Sequence, residues 1–247
     1  MAGANDAMLP VALLAGGLAT RLRPITETIP KALVDVAGRP FIAWQLELLR
    51  REGVTEVIVC AGYLGERIQE VVADGAEYGL AVRYSLDGER LLGTGGALRR
   101  ALPLLDGPVF VLYGDSYLPI DMRPVQEAYG RLGRAALMTV FRNDGQWDRS
   151  NVEYDGTGTV RYDKRMQTPT MHYIDYGLGI VSRDVIAAMP ADTVVDLADT
   201  YRALSEAGQL AGYEVHERFY EVGSFEGLED MRRLVAGGGA SHAKEQP

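Results

Sequence analysis

An α/β fold built on a mostly parallel sheet, with helices on both faces, is predicted by three observations. Short apolar stretches alternate with amphipathic ones through residue 142. The first of them, "VALLA", runs apolar up to the paired glycines, as a strand covered on both faces does. Gly16, Gly93 and Asp115 fall at the carboxyl ends of predicted strands or in loops reaching towards them, where open sheets of this kind bind ligands.

The elements follow in order. Residues 1–8 read as a flexible arm, and the first strand covers about 9–15. The segment 16–38 reads as a long loop rich in Thr, Pro and Arg, and such loops inside compact domains are more often functional than passive. Pro40 opens a helix through "FIAWQLELLRREG", and Gly53 stops it. "EVIVCAG" is the second strand, "LGERIQEVVADGAEYG" a helix, and "LAVRYSL" a strand. A helix begins near Gly93, and "PVFVLYGD", Pro108 to Asp115, is the fourth strand. "MRPVQEAYGRLG" reads as a helix and "RAALMTVFR" as a strand. After residue 143 the pattern changes. "SNVEYDGTGTVRYDKR" carries a hairpin signal around Asp155–Gly158, and "MHYIDYGLGIV" is another strand. Helices are expected near 183–189 and 197–207, a strand over "LAGYEVHERFYEVG", and a closing helix over "FEGLEDMRRLVA". The organisation expected is one domain over 9–235, with 9–142 mainly binding nucleotide, 143–235 mainly binding sugar, and a flexible tail over 236–247.

Composition narrows the function. The chain has 34 acidic against 25 basic residues, a formal charge of -9, which is the opposite of the bias of a nonspecific nucleic-acid binder. Cys60 is the single cysteine, so neither an intrachain disulfide nor a cysteine metal cluster can form; it reads as an inert core thiol. The three histidines share no ligand spacing. No signal-peptide pattern precedes Leu9 and no apolar run approaches a membrane span, so a cytoplasmic protein without nucleic-acid or membrane partners is expected.

Several residues could carry chemistry. Gly16 and Gly17 let the backbone approach a ligand, and successive amides there can cradle phosphate oxygens. Thr20, the forked guanidinium of Arg21 and the point charge of Lys31 complete a set suited to a triphosphate; a plain strand-to-loop turn with surface arginines is the alternative. Gly93, Thr94, Gly95 and Gly96 suggest close approach of a base or ribose, or else a tight helix entry capped by Thr94. Asp115 at the sheet mouth is a natural Mg2+ ligand, with Glu221 a second acidic candidate. Lys164 could neutralise a second phosphate, Asn151 and Asp163 could bond hydroxyls, and Asp175 needs a partner if buried. Trp147 reads as either a sugar-stacking platform or a lid anchor.

The series "LAGGLATRLRP…PKALVDVAGRP", "LGTGGAL", "YGD", "YDKR", "YIDYGLGI" and "YEVGS" resembles the sugar-1-phosphate nucleotidyltransferases over roughly residues 9–234. Within that family it is most similar to short bacterial heptose- or mannose-1-phosphate guanylyltransferases. The resemblance implies a Rossmann-like, GT-A-like mixed sheet, and a reaction that joins an NTP and a sugar 1-phosphate to give an NDP-sugar and pyrophosphate. It implies nucleotide contacts from Leu14, Ala15, Gly16, Gly17, Thr20, Arg21, Gly93, Thr94 and Asp115. It implies sugar-phosphate contacts from Tyr113, Gly114, Asn151, Asp163, Lys164, Asp175 and Gly177. Arg21, Lys31 and Asp115 would be catalytic, and Asp115 with Glu221 would hold Mg2+. GTP is the favoured donor and D-glycero-D-manno-heptose 1-phosphate the favoured acceptor; UTP, CTP or ATP with another sugar 1-phosphate, and a non-catalytic nucleotide-sugar sensor, are the alternatives. A dinucleotide oxidoreductase is opposed by the lack of GxGxxG. A homodimer is compatible with the sequence. Departures from the family pattern are Ala19 for glycine, Asp163 for glutamate, Arg165 for proline, Asp175 for asparagine and Glu221 for aspartate. Ala19 is tolerable there if its backbone angle is ordinary.

Overall fold

The computed structural model describes residues 7–88, 90–147 and 149–238. In chain order its elements are β1 (Val11–Leu14), β2 (Asp35–Val36), β3 (Arg39–Pro40), α1 (Phe41–Arg51), β4 (Glu56–Ala61), α2 (Gly65–Val72), β5 (Ala81–Leu86), α3 (Gly93–Arg100), β6 (Val109–Tyr113), β7 (Ser116–Tyr117) and α4 (Met122–Leu132). There follow β8 (Ala136–Arg142), β9 (Val152–Tyr154), β10 (Val160–Tyr162), β11 (Tyr173–Val181), α5 (Arg183–Ala188), α6 (Leu197–Glu206), β12 (Leu210–Val215), β13 (Tyr220–Glu221) and α7 (Phe225–Ala236).

Strands β5, β4, β1 and β6 lie side by side and parallel. β11 then pairs antiparallel with β6 and with β8, and β12 runs parallel to β8. The sheet is therefore mixed, as expected. Its directions bring the carboxyl ends of β1, β4, β5, β6, β8 and β12 to one edge, and β11 enters from that same edge. The first half of β11 reaches beyond β6 and meets β9 of the β9–β10 hairpin. The hairpin turn is held by Asp155, whose carboxylate accepts from the amides of Thr157, Gly158 and Thr159.

Alternation along β1 divides the core. Val11 and Leu13 face one layer with Ile42, Leu46, Ile68 and Val125 from α1, α2 and α4. Ala12 and Leu14 face the other with Leu98, Ile186 and Tyr201 from α3, α5 and α6. A third cluster was not visible in the sequence. Leu22, Val34 and Val36 of the long loop pack with Phe41, Tyr117, Val222, Leu228 and Met231, so the segment between β1 and α1 is anchored on the C-terminal helix α7.

Several sequence expectations shift. Most of the arm and the tail beyond 238 lie outside the described residues, but Met8 is buried and Gln126 bonds both Leu9 N and Ala7 O, so residues 7–8 are tied to α4. The helix expected over 64–79 ends at Val72, because Ala73 turns to positive φ; a single 3-10 turn, Ala76–Tyr78, follows. The strand expected over "LAGYEVHERFYEVG" divides into β12, in the main sheet, and β13, which pairs with β7. The sequence between them carries no glycine or proline to signal that change. The 16–38 loop contains three 3-10 turns and β2.

Candidate active site

Two cavities open at the strand-end edge and share Tyr113. The first, about 390 Å³, is lined by Leu14 through Leu18, Lys31, Cys60, Asp87, Gly93, Thr94 and Tyr113 through Asp115. The second, about 650 Å³, is lined by side chains from the 21, 146–151, 162–164, 174–177 and 218–230 segments.

Four glycines, at 16, 17, 93 and 114, line the first cavity beside small and apolar side chains. β1 ends at Leu14, and the chain leaves the sheet through Gly16, where a Cβ would come within 3.1 Å of Gly62 N. Gly17 differs: its φ is not positive, and a Cβ there would meet nothing within 4 Å. Neither conformation nor packing within the chain requires glycine at that point, and the open space above it is the cavity. Gly114 carries the chain tight against β1, where a Cβ would lie 2.6 Å from Leu14 O.

The second glycine cluster has a different cause from the expected approach of a base or ribose. Cβ atoms at Gly93, Gly95 and Gly96 would lie 2.6 Å from Val195 O, 2.8 Å from Val195 Cγ1 and 2.5 Å from Thr193 O. Gly95 N donates to Val195 O, so α3 is pressed onto the segment preceding α6. Thr94 does not cap α3; its hydroxyl accepts from Leu197 N at 2.8 Å. Gly93 and Thr94 nonetheless line the first cavity.

Asp115 sits one residue past the Gly114 bend and accepts from Lys31 Nζ at 2.8 Å. Its backbone is bonded from another side, since Val222 N donates to Asp115 O at 2.8 Å. The β7–β13 ladder pairs Ser116 with Glu221, so the two predicted acidic residues flank one short ladder. A Cβ at Gly227 would be 2.0 Å from Glu221 O, so glycine there lets α7 start directly against β13. Asp115, just before β7, and Glu221, on β13, carry hard oxygen donors of the kind magnesium takes, and magnesium needs few protein ligands when phosphates and water supply the rest. Among the described residues no group of three acidic, histidine or cysteine side chains forms a metal cluster.

Arg21 is the main displacement. It was expected beside the nucleotide glycines; instead it lines the second cavity, where its Nη2 is 3.0 Å from the Cβ position of Gly223, with Glu221 Oε2 at 4.0 Å from the same point. The loop carries Arg21 there through Ala19, which has left-handed φ 48° and ψ 43°. The backbone angle is therefore not ordinary, contrary to the condition set for tolerating alanine. Thr26 Oγ1 donates to Ala19 O at 2.7 Å and helps to hold that bend. Thr20 is exposed and lines neither cavity.

On the sugar side, Asn151, Lys164, Asp175, Gly177 and Tyr113 meet in the second cavity, whereas Gly114 lines the first. Asn151 Oδ1 accepts from Asp175 N at 3.1 Å, and Asp175 Oδ1 accepts from Gly177 N at 3.0 Å. Burial pushes the Asp175 carboxyl up to about 6, against the opposing pull of the Gly177 amide and Lys164. Asp163 is turned away: its Oδ1 accepts from the amides of Arg165 and Met166, which hold its carboxyl below the usual range. Those bonds make it a turn residue, with Lys164 projecting from the loop it closes.

Three contributors were missed. Asp87 is 6% exposed; Oδ2 accepts from Leu92 N, while the buried Oδ1 has no hydrogen-bond partner among the described residues, and burial raises its pKa. Its place in "SLDGERLLG", beside the glycines, was the available signal. Gln45, buried on α1, donates to Ser116 O at 2.8 Å and Tyr113 O at 3.4 Å, bracketing the bend that carries Asp115. Its place on the apolar face, four residues from both Phe41 and Leu49, was the available signal. Arg218 lies over Trp147 and Tyr220, with its guanidinium 4.5 and 4.8 Å from the ring centroids. Cys60 is buried and its thiol is pushed up to about 12 by burial, as expected of a core thiol.

The comparisons with known proteins agree with this geometry. The "Nucleotidyl transferase" family model matches residues 11–154, and the chain belongs to that family. It is 43% identical over 229 residues to the N-acetylmuramate alpha-1-phosphate uridylyltransferase of Neisseria meningitidis, covering 90% of this chain and 96% of that protein. It is 31% identical over 238 residues to the low-salt glycan biosynthesis nucleotidyltransferase Agl11 of Haloferax volcanii, covering 90% of this chain but 65% of that longer protein. The crystal structure of HddC from Yersinia pseudotuberculosis complexed with GMP-PN matches with a TM-score of 0.77 and 25% identity, over 92% of this chain and all of that one. The family-level reaction is transfer of a nucleotidyl group from an NTP to a sugar 1-phosphate. No helix among the described residues is long and apolar enough to cross a membrane.

Proposed function

We infer that this chain is a uridylyltransferase that joins UTP to the 1-phosphate of an N-acetylmuramate-type sugar, releasing pyrophosphate. The carrying observation is the 43% identity to the Neisseria enzyme over nearly the full length of both chains. That likeness moves the reading away from the GTP and heptose pairing suggested by the sequence.

In this reading the first cavity takes the nucleotide. Gly17 leaves room for phosphate oxygens against the backbone, and Asp87 offers a buried acceptor for a base N–H. The second cavity takes the sugar phosphate, with Asn151, Asp175 and Gly177 near the sugar and Lys164 near its phosphate. Tyr113 lines both spaces, so the reacting phosphates would meet beside it. The acceptor phosphate oxygen forms a bond to the α-phosphorus, and the bond to the pyrophosphate oxygen breaks in line. The nucleophile is already an oxyanion, so no general base is needed. Lys31, bonded to Asp115 in the first cavity, and Arg21, in the second cavity with Glu221, offset the repulsion between the two polyanions. Asp115 and Glu221 would hold Mg2+, which when bound supplies charge neutralisation at the phosphates.

The test is pyrophosphate release with UTP, GTP, CTP and ATP against N-acetylmuramate, N-acetylglucosamine, glucose, mannose and heptose 1-phosphates, with and without Mg2+. A clear optimum at UTP with the muramate sugar is expected. A GTP–heptose optimum would support the second reading, for whose guanine nucleotide the likeness to HddC complexed with GMP-PN speaks. Release without dependence on sugar phosphate would defeat both.

A further inference from the structure

We propose that Arg218 is a specificity residue that receives a carboxylate carried by the sugar substrate, at a subsite on the aromatic wall of the second cavity. This rests on the acid-sugar reading above and adds to it the group that does the reading. N-acetylmuramate differs from N-acetylglucosamine by an ether-linked lactyl group, which ends in a carboxylate. A pocket that selects the former must offer a cation at a fixed place, in addition to whatever meets the phosphate.

The second cavity is lined by three basic side chains, Arg21, Lys164 and Arg218. Arg21 stands beside Gly223 and Glu221, and Lys164 acts on Asp175. Arg218 is separate from both. Its guanidinium lies against the faces of Trp147 and Tyr220, and the Trp147 ring meets Phe219 edge-on at 6.1 Å. Stacking of this kind fixes the plane of a guanidinium while leaving its N–H edges for planar acceptors. One edge is used: Nη2 bonds Asp230. Asp230 also bonds Arg233, so the trio of two arginines and one aspartate keeps a net positive charge. The remaining guanidinium donors have no partner among the described residues. A carboxylate seated on them would gain charge-assisted hydrogen bonds from a group whose ordering is already complete before binding. The lactyl methyl would lie against the neighbouring rings. Arg218 covers one face of Trp147, which itself lines the cavity.

The experiment measures kcat and KM, with UTP and Mg2+, for three acceptors on the wild-type enzyme: N-acetylmuramate 1-phosphate, its lactyl amide, and N-acetylglucosamine 1-phosphate. The same set is run on Arg218→Met and Arg218→Lys. On the wild type, the uncharged amide is expected to raise KM about 10- to 100-fold over the acid, the loss of charge-assisted hydrogen bonds, with kcat little changed. Arg218→Met should raise KM for the acid by a similar factor, leave the amide and the N-acetylglucosamine substrate within about threefold, and so erase the discrimination. Arg218→Lys should fall between, since a point charge cannot fork onto a carboxylate. If the wild type discriminates acid from amide and Arg218→Met still does, or if all three acceptors suffer alike, Arg218 is not the reader and the acid-sugar reading survives. If the wild type itself does not prefer the acid sugar, that reading fails and the subsite fails with it. If Arg218→Met folds poorly, Arg218→Lys carries the same comparison: an acid-over-amide preference as large as that of the wild type overturns the assignment of Arg218, and a reduced one supports it.

Discussion

The two cavities are made differently. The first lies at the carboxyl ends of four parallel strands, and four glycines line it beside small and apolar side chains. The second is assembled from side chains on segments far apart in sequence, from Arg21 to Asp230. A glycine-bearing pocket suits groups that every nucleotide shares, because amides and glycines recognise phosphate without regard to base or sugar. A pocket lined by side chains can be altered one residue at a time. The contrast sets a glycine-bearing lining on one side of Tyr113 and a lining of larger, mostly polar side chains on the other.

The sharpest way to break this division is at its seam. Asp115→Ala should lower turnover on the order of 10²-fold or more whichever sugar is offered, because it removes both the Lys31 partner and the proposed metal ligand. Steady-state pyrophosphate release on folded protein measures it; a loss confined to one sugar would misplace Asp115.

The next effect is on stability. Gly96→Ala forces a Cβ to within 2.5 Å of Thr193 O and should destabilise the fold by about 1–3 kcal/mol, read by urea unfolding. Gly17→Ala meets no atom within 4 Å and should change stability by less than about 0.5 kcal/mol while raising the KM for the nucleotide. If both variants behave alike, the assignment of one glycine to packing and the other to ligand approach is wrong.

Asp175 supplies a test of the second cavity through pH. Its carboxyl is raised from 3.8 to about 6 in the folded state. The folded protein therefore keeps a proton that the unfolded chain has released. The contribution is fully present below about pH 4, is lost as pH rises to about 6, and is flat above. Relative to wild type, Asp175→Asn should remove this slope, appearing more stable at pH 7 than at pH 4 by about 1–3 kcal/mol in paired denaturation curves. An unchanged difference across that range would mean that Asp175 is not held in a desolvated place.

The smallest expected effect is in the loop that serves both cavities. Ala19→Gly relieves a left-handed alanine but adds freedom to the unfolded chain, leaving a gain of about 0.5–1 kcal/mol. Thermal or urea midpoints resolve it; a loss would show that the bend is not strained.

Lys31, Asn151, Lys164 and Asp175 were candidates by residue type and by the family resemblance; the alternating strands and helices, and the sheet edge with Gly16, Gly93 and Asp115 near it, the sequence determined by itself. These were legible because hydrophobic period, glycine punctuation and acid placement are local properties of a chain. Only the tertiary structure decided that Arg21 crosses to the second cavity, that the glycines at 93, 95 and 96 serve the contact with residues 193–197, and that Asp163 closes a turn. Gln45 beneath the Asp115 bend and Arg218 between two aromatic rings belong to the same group. Each depends on which distant segment occupies the space around a residue. Long-range packing sets that occupancy, and no periodicity within a short window encodes it.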